Sequence, residues 1–333
     1  MKRRLVGFAA GVACVIMSAG AQAFSNLYVF GDSLLDSGNN ALVLQAAFPP
    51  DGLVTPVPIS GNTFIPEFPY ASGHYTNDNV WAQSFAQALG LQANPSLAGG
   101  TDFAFGGART SGGSSPLPTV SQQTTSFLAA NPNIPADGLY VVEGGGNNAR
   151  DALMAIAMNP NDLVQTIKST AEGYAEDVSG MVHSLENAGA REIVVWNLPD
   201  IGRAPSLLSE GAQASFLGTV MALSMNIALD VAIKKKKDPN VKVFDTFGIV
   251  DNVADHPDKF GLTNVTDACA QFTDCDPSKF LFWDGIHPTS AGHQILSEAM
   301  LQLVPEPSTY AAVIMGFMAC IVLLRGRIKR IGS

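Results

Sequence analysis

Short apolar segments alternate with long helical patterns along this chain, and this alternation most limits how the chain can fold. The apolar segments are rich in β-branched side chains and cover residues 26–30, 102–105, 139–142, 192–196 and 241–244. Helical patterns cover residues 80–89, 163–188, 212–236 and about 290–303. Parallel strands need crossover connections of a dozen or more residues, which are usually helices. The sequence therefore predicts an α/β fold with a central parallel sheet covered on both faces.

Three of the predicted strands run directly into polar or glycine-rich loops. Ser33 follows the first strand, Gly107 the second, and Asn147 the third. Open parallel sheets place their sites beyond the carboxyl ends of the strands. The segment 49–75, rich in Pro, Gly and Phe, is interpreted as a long loop that could form a rim of the same cleft. Ser33 is either a turn residue or a nucleophile, and a nucleophile also requires a base, a carboxylate and an oxyanion hole.

The stretch Asp284-Gly285-Ile286-His287-Pro288 supplies a candidate base for Ser33. Its glycine permits a tight turn that brings the Asp284 carboxylate to Nδ1 of His287, leaving Nε2 to face a hydroxyl. An Asp three residues before a His also arises by chance. The four other histidines lack this arrangement. His293 is interpreted as structural, His183 and His256 as solvated, and His74 as a surface loop residue that could touch substrate.

Two glycine-rich stretches are candidates for an oxyanion hole. Gly107 can present its backbone N–H to a substrate because no Cβ obstructs the approach. Asn147 can donate a side-chain N–H to the same oxygen, and each such donor is worth about 3 kcal/mol in the transition state. Taken alone, each stretch is better explained as an ordinary strand-to-helix turn. A phosphate-binding loop is disfavoured, since neither stretch has the Gly-x-Gly-x-x-Gly or Walker pattern.

The first 23 residues are typical of a cleavable secretory signal. Lys2, Arg3 and Arg4 precede an apolar stretch from Leu5 to Met17, and Ala21-Gln22-Ala23 supplies a small-x-small cleavage site. A buried first helix is the alternative. We predict an exported protein with a signal peptide over residues 1–23 and a folded body over residues 24–304.

The C-terminal segment 305–333 combines Pro305-Glu306-Pro307, an uncharged stretch from Tyr310 to Leu324 and a basic end. The uncharged stretch is slightly shorter than the about 17 to 25 residues of a transmembrane helix, but the two preceding polar residues and snorkelling basic side chains can extend it. A membrane helix over about 308–324 is therefore predicted, and a short buried helix is the alternative. The basic cluster would hold the C-terminus in the cytoplasm.

These three parts, in this order, resemble the PEP-CTERM sorting signal. The resemblance implies a Gram-negative bacterium, export across the inner membrane, and transient anchoring by the C-terminal helix. It further implies processing near Pro305-Glu306-Pro307 by an exosortase-type enzyme, with the body then at the cell surface or outside the cell.

The charge of the predicted body argues against two kinds of partner. The chain has 19 Lys plus Arg and 29 Asp plus Glu. Without the three cations of the first 23 residues, and without the four cations and one anion of residues 305–333, 12 cations and 28 anions remain, a net charge of −16. Such an acidic body argues against nucleic acid and against electrostatic docking on anionic membranes.

Only two of the four cysteines, Cys269 and Cys275, fall within the predicted body. In an oxidising periplasm they favour a disulfide that closes a small loop. A two-cysteine metal site is the weaker interpretation, because zinc would need two further ligands and none is suitably spaced.

Four sequence blocks in order resemble those of the GDSL, or SGNH, hydrolase family. They are Gly31-Asp32-Ser33, Gly107, Gly145-Gly146-Asn147 and Asp284-Gly285-Ile286-His287-Pro288. The resemblance implies a three-layer α/β/α sandwich of the flavodoxin-like kind with a central parallel sheet. It also implies ester hydrolysis through an acyl-enzyme, without cofactor or metal.

Carried over to this chain, the resemblance assigns Ser33 as nucleophile, His287 as general base and acid, and Asp284 as the group that orients His287. The Ser33 N–H, the Gly107 N–H and the Asn147 side chain would form the oxyanion hole. Two positions depart from the family pattern. Asn148 stands where an Asp is frequent and cannot supply its charge, and Asp102 stands where an Asn is common.

Two functions of different classes follow. The first is an exported serine esterase or lipase, acting on a lipid acyl ester or on an O-acetylated polysaccharide. The second is a non-catalytic surface or matrix protein that keeps the fold for binding. The joint presence of Ser33, Asp284, His287 and Asn147 favours the enzyme, because binding alone does not require this set.

Overall fold

The computed structural model describes residues 24–47, 70, 73–113, 116–234 and 239–304. These belong to one folded unit, Phe24–Val304. The predicted signal peptide and the predicted C-terminal membrane helix lie outside the described residues.

A four-stranded parallel sheet forms the centre of this unit. Its strands are β1 (Leu27–Phe30), β2 (Leu139–Val142), β3 (Glu192–Trp196) and β4 (Val241–Phe244), and they lie side by side in that order. All three strand pairs are parallel. The predicted bounds of β2, β3 and β4 are confirmed, and β1 begins one residue later than predicted.

The predicted strand over residues 102–105 is wrong as a regular strand. The segment lies beside β1, where Phe103 N donates to Val29 O at 2.9 Å and Phe105 N to Gly31 O at 3.2 Å. Only an isolated parallel bridge joins Asp102 to Val29. The reason is local, because the Asp102 carboxylate accepts the Ala104 N–H at 2.8 Å and bends the backbone. The segment still occupies the outer edge of the sheet, as the second strand of a flavodoxin-like order does.

Nine α-helices surround the sheet in the described part of the chain. They are α1 (Asn39–Ala47), α2 (Trp81–Ala88), α3 (Val120–Ala130), α4 (Gly146–Met158), α5 (Leu163–Ala188), α6 (Pro205–Ser209), α7 (Ala212–Lys234), α8 (Thr246–Asp255) and α9 (Ser290–Leu303). The predicted bounds of α5 and α9 are confirmed, and α2 is one residue shorter at each end than predicted. The predicted end of α7 at residue 236 lies outside the described residues.

Alternate residues of the central strands pack into two different cores, which shows that helices cover both faces. One core contains Tyr140, Val142, Ile193 and Val195 with side chains of α3, α4, α5 and α7. The other contains Leu139, Val141, Val194 and Trp196 with side chains of α2 and α9. Successive side chains of a strand point to opposite faces. The arrangement is the three-layer α/β/α sandwich that the family resemblance implies, with the sheet covered on both faces as the sequence pattern predicts.

Helix α7 is long and apolar enough to cross a membrane, the one helix among the described residues that meets this criterion. It packs along α5, and Met221, Met225 and Leu229 are buried in the core that also contains β2 and β3. Its apolar composition is therefore explained at least in part by packing on the sheet.

A second, two-stranded parallel sheet is formed by β5 (Asn264–Ala268) and β6 (Phe280–Phe282). The loop between them contains the disulfide Cys269–Cys275, which confirms the predicted pairing. Strand β6 ends two residues before Asp284, so this small sheet leads directly into the turn that contains His287.

Candidate active site

Ser33 lies in a tight turn at the carboxyl end of β1. Asp32 O accepts the N–H groups of Leu35 and Asp36 at 3.2 and 3.1 Å, which closes the turn. The side chain of Gln123, on α3, holds the start of this turn. It accepts from Gly31 N and donates to Gly31 O, both at 2.9 Å. Ser33 is thus held at the strand end, where ligands bind in open parallel sheets.

Three side chains form a continuous hydrogen-bonded chain at this edge of the sheet. Ser33 Oγ lies 2.8 Å from His287 Nε2. On the other side of the ring, His287 Nδ1 lies 2.7 Å from Asp284 Oδ2. A carboxylate accepts only, so Nδ1 carries the proton and the neutral ring accepts the Ser33 hydroxyl at Nε2. The sequence-predicted triad is brought together in the arrangement that activates a serine.

The Asp284 turn holds this chain by local backbone contacts. Asp284 Oδ1 accepts the N–H groups of Ile286 at 2.8 Å and His287 at 2.7 Å. Trp283 N donates to His287 O at 2.8 Å and closes the turn. Burial opposes the charge of Asp284, but the His287 ring and the hydrogen bonds to Asp284 outweigh it and lower its pKa. Asp284 therefore remains ionised and orients His287.

Two backbone amides that the sequence predicts as oxyanion donors have no hydrogen-bond acceptor of their own in the part of the chain that the structure describes. Neither the Ser33 N–H nor the Gly107 N–H has an acceptor within the described residues. Gly107 has φ +81°, a left-handed conformation that a glycine adopts without strain, and a Cβ there would meet open space. Both amides are thus available to a substrate oxygen.

Asn147, the third predicted oxyanion donor, is already engaged. It is the second residue of α4, and its Nδ2 donates to Ala108 O at 2.9 Å and to Asp32 Oδ2 at 3.3 Å. The preceding Gly145, with φ +105°, is the N-cap of the helix, and a Cβ on it would come within 2.8 Å of Tyr174 and Leu198. The Asn147 amide must leave one of its two acceptors to reach an oxyanion.

A sequence comparison identifies the family of this chain. The family described as GDSL-like lipase/acylhydrolase matches residues 27–300. The chain belongs to this family. Members of the GDSL family are carboxylic ester hydrolases, and the match contains all the predicted site residues.

Individual GDSL relatives resemble most of this chain. "Lipase 1" of Photorhabdus luminescens is 28% identical over 92% of this chain and 54% of its own length. "Thermolabile hemolysin" of Vibrio parahaemolyticus is 27% identical over 84% of this chain and 63% of its own length. The chain thus spans between half and two thirds of these two proteins. "GDSL esterase/lipase 6" of Arabidopsis thaliana is 24% identical over 86% of this chain and 88% of its own length.

Two solved structures also resemble the chain. An alpha/beta hydrolase from the metagenome of Lake Arreo matches 85% of this chain and 96% of its own at 13% identity and a TM-score of 0.43. A catalytic mutant of Axe2, an acetylxylan esterase of Geobacillus stearothermophilus, matches 84% of this chain and 94% of its own at 15% identity and a TM-score of 0.40.

The two departures from the GDSL pattern each have a defined structural role. Asn148 Oδ1 accepts from Thr110 N at 3.0 Å, so the amide holds the loop after Gly107 without a negative charge. The Asp102 carboxylate accepts from Ser37 N at 3.0 Å and from Ala104 N. Asp102 is fully buried, and this burial raises its pKa well above the usual range. Both residues shape the loops around the site rather than reach Ser33.

Asp36 connects the nucleophile turn to the glycine loop. Its carboxylate accepts from the backbone amides of Gly38, Asn39, Asn40 and Gly106. Burial raises the Asp36 pKa to about 6, although these hydrogen bonds favour the charged form. The position of Gly107 relative to Ser33 thus depends on this carboxylate.

Tyr70 is a site residue that the sequence did not reveal. Its hydroxyl donates to Asp284 Oδ2 and lies 3.3 Å from His287 Nδ1, and its ring meets the His287 ring edge-on. Tyr75 also packs on the His287 ring, with centroids 5.2 Å apart. Two residues of the 49–75 segment thus contact His287, and the interpretation of this segment as a rim of the cleft stays a prediction. Residues 48–69, 71 and 72 lie outside the described residues.

The remaining histidines do not join the triad. His293 is fully buried on α9, where its Nδ1 accepts from Trp81 N at 3.2 Å, and burial lowers its pKa to about 3. His74 contacts the carbonyl oxygens of Asp78 and Ser37, so it fixes a loop. His183 and His256 are exposed, as predicted. Within the described ranges, no group of three or more His, Cys, Asp or Glu is arranged to hold a metal ion.

Proposed function

We propose that this chain is an exported serine esterase that hydrolyses carboxylic esters through an acyl-enzyme on Ser33. The observation that carries the proposal is the hydrogen-bonded chain from Ser33 through His287 to Asp284, with distances of 2.8 and 2.7 Å. Membership of the GDSL family supports the same reaction.

Acylation begins when Ser33 Oγ attacks the ester carbonyl carbon while His287 Nε2 takes the hydroxyl proton. The resulting imidazolium is stabilised by Asp284. The carbonyl oxygen becomes an oxyanion that can accept from the Ser33 and Gly107 amides and from Asn147 after its side chain turns. When the tetrahedral intermediate collapses, His287 gives the proton to the departing alkoxide, and an alcohol leaves.

Deacylation repeats these steps with water. His287 takes a proton from a water molecule as the water oxygen attacks the acyl carbon of the Ser33 ester. Collapse of the second tetrahedral intermediate releases the carboxylic acid, and the proton on His287 returns to Ser33 Oγ. The reaction consumes one water and restores the enzyme.

The substrate is proposed at the level of the ester bond, with two sources of acyl group. "Lipase 1" and "Thermolabile hemolysin" among the relatives favour a lipid acyl ester. The sorting signal suggested by the C-terminal sequence favours an O-acetyl group on a surface polysaccharide. We further propose processing near Pro305-Glu306-Pro307 by an exosortase-type enzyme.

The test is hydrolysis of p-nitrophenyl acetate, butyrate and longer esters by the purified chain with its disulfide intact. Ser33→Ala is the control. Turnover that disappears in Ser33→Ala is expected, and the dependence on acyl-chain length separates an acetylesterase from a lipase. A folded protein whose turnover matches that of Ser33→Ala on every ester would contradict the proposal.

A further inference from the structure

Two buried carboxyl groups lie at the turn that holds the nucleophile, and the reaction steps above do not use them. Asp32 precedes Ser33, and Glu143 follows β2. Their exposed fractions are only 3% and 5%. The pairing of Phe30 with Val142 in the parallel sheet places Gly31 beside Glu143 at its carboxyl edge, and Asp32 is the next residue along the chain. The sheet therefore brings the two acidic residues close together next to Ser33.

The contacts place the two acidic residues side by side in a buried environment. Glu143 Oε2 accepts from the Asp32 backbone N–H at 3.2 Å. Two carboxyl groups buried this close together oppose each other's ionisation, so one of them keeps its proton. Space for the pair depends on Gly31, where a Cβ would lie 2.8 Å from Glu143 Oε2.

Burial and the surrounding charges determine where this proton resides. Burial raises the pKa of both groups, and the negative charge of Asp32 raises that of Glu143 further. Asp32 accepts the N–H groups of Leu34 at 3.1 Å and Asn147 at 3.3 Å, whereas Glu143 accepts only that of Asp32 among the described residues, so a negative charge is better stabilised on Asp32. The other titratable or charged groups that interact with the pair are His287, Arg150, Tyr174 and Tyr75. When the pair is ionised once, the negative charge is therefore favoured on Asp32 and the remaining proton on Glu143.

The charge on Asp32 bears directly on the oxyanion hole. Asp32 Oδ2 is the more weakly held of the two acceptors of Asn147, at 3.3 Å against 2.9 Å for Ala108 O. When the oxyanion forms, it competes with Asp32 for this N–H. While Glu143 keeps its proton, the hydrogen bond from Asn147 to Asp32 is weaker and the amide is more easily released. A negative charge on Glu143 would strengthen that hydrogen bond and would also repel the oxyanion.

We propose that Glu143 is a positioning residue whose retained proton allows the Asn147 side chain to turn from Asp32 to the oxyanion. The inference rests on the proposed function, since it concerns the oxyanion hole of the same reaction. Glu143 itself does not touch the substrate. Its effect therefore falls on kcat, because the oxyanion exists only in the transition state and the tetrahedral intermediates.

The experiment compares Glu143→Gln with Glu143→Ala in the full-length chain, with p-nitrophenyl butyrate as the probe. Glutamine keeps a neutral donor for Asp32 and has no proton to lose, whereas alanine leaves Asp32 without its partner. We expect Glu143→Ala to lower kcat by about 10- to 100-fold with KM changed less than about twofold, and Glu143→Gln to recover at least about tenfold of that loss.

The pH dependence supplies a readout that a merely structural role would not change. In the wild type, kcat falls at alkaline pH as the Glu143 proton is lost, and this fall is absent in Glu143→Gln. Asp200→Asn serves as the matched control, because Asp200 is another buried carboxylate at the carboxyl edge but bonds to Gly202 and Thr219 instead. Its alkaline profile follows that of the wild type.

Three results would overturn the inference: equal kcat values in the Gln and Ala variants, an alkaline fall that persists in Glu143→Gln, or a wild type with no alkaline fall. If the Ala variant does not fold, the alkaline profile of Glu143→Gln decides. Failure of the proposed function is distinguishable, since the turnover of the wild type would then match that of Ser33→Ala. A Ser33-dependent wild type with unresponsive Glu143 variants would contradict this inference alone.

Discussion

The two sides of Ser33 are prepared for catalysis to different degrees. On the base side, His287 already bonds both Ser33 and Asp284, at 2.8 and 2.7 Å. On the oxyanion side, Asn147 is bonded to Asp32 and Ala108, so one donor must be redirected before it can stabilise an oxyanion. The difference shows that proton transfer is organised in the free protein, whereas part of the charge stabilisation requires a side-chain movement.

The sequence separation of the contacts explains this difference. Asp284 and His287 are three residues apart, and one turn positions both of them. Asn147 and Asp32 are 115 residues apart, and their contact depends on the pairing of β1 with β2 and on the start of α4. The base side is therefore a local structure, and the oxyanion side is a product of the sheet.

Replacing Asp284 by Asn breaks the base side and should produce the largest effect of these predictions. The amide can offer a donor to Nδ1, which favours the wrong histidine tautomer, and kcat is expected to fall by about 10⁴-fold. The measurement is steady-state hydrolysis of a p-nitrophenyl ester. Asp274→Asn, an exposed charge change in the disulfide loop, is the control. A loss smaller than about tenfold would show that Asp284 does not set the tautomer.

Replacing Asn147 by Ala tests the oxyanion side and should have a smaller effect. One donor of three is lost, so kcat is expected to fall by about 10²- to 10³-fold with little change in KM. Asn148→Ala is the matched control, because its amide bonds Thr110 and does not reach Ser33. Equal losses in the two variants would mean that Asn147 acts through the loop and not through the oxyanion.

Replacing Tyr70 by Phe sharpens the comparison within the base side. The variant removes a hydrogen bond to a buried carboxylate, and such bonds are worth about 1.5–3 kcal/mol. We expect kcat/KM to fall by about tenfold. Tyr75→Phe is the control, since both rings lie against His287 but the Tyr75 hydroxyl bonds Asn40 instead. A Tyr70→Phe enzyme no slower than the control would exclude a role for this hydroxyl.

The pH dependence of stability should differ in sign between the two sides. The pKa of Asp284 is lowered below its ordinary 3.8, so its stabilising contribution is present above that pH and is lost as pH falls through the folded value. The pKa of Glu143 is raised above 4.5, so its contribution is present below that pH and is lost as pH rises.

Thermal unfolding across pH measures this contrast, which is the smallest effect predicted. Relative to the wild type, Glu143→Gln gains stability as the pH rises from about 4, whereas Asp284→Asn loses stability as the pH rises through the acidic range. Parallel curves for the two variants would contradict the assigned directions.

The parts of the fold that sequence predicts are those with a strong local pattern. The apolar segments 139–142, 192–196 and 241–244 and the periodic helix α5 appear with their predicted bounds. Segment 102–105 does not form a regular strand, because the Asp102 side chain binds its own backbone. The sequence does not predict helix α4, because its glycine-rich start resembles a loop until Gly145 packs against Tyr174 and Leu198.

The candidate site divides in the same way. Ser33, Asp284 and His287 belong to short blocks whose residue types and spacing already suggest a hydrolase. Tyr70 belongs to no such block, and its contact with Asp284 spans 214 residues. In the sequence, Glu143 is a polar residue at the end of a strand. Its contact with Asp32 can be recognised only when β1 and β2 are paired.

The central claim, that Ser33 is the nucleophile and is activated by His287, can be tested most directly by covalent labelling. The wild type and His287→Ala would be treated with a fluorophosphonate and digested, and the labelled peptide would be identified by mass spectrometry. The account predicts one label on Ser33 in the wild type and little or none in His287→Ala. A label on another residue, or equal labelling of Ser33 in both proteins, would contradict it.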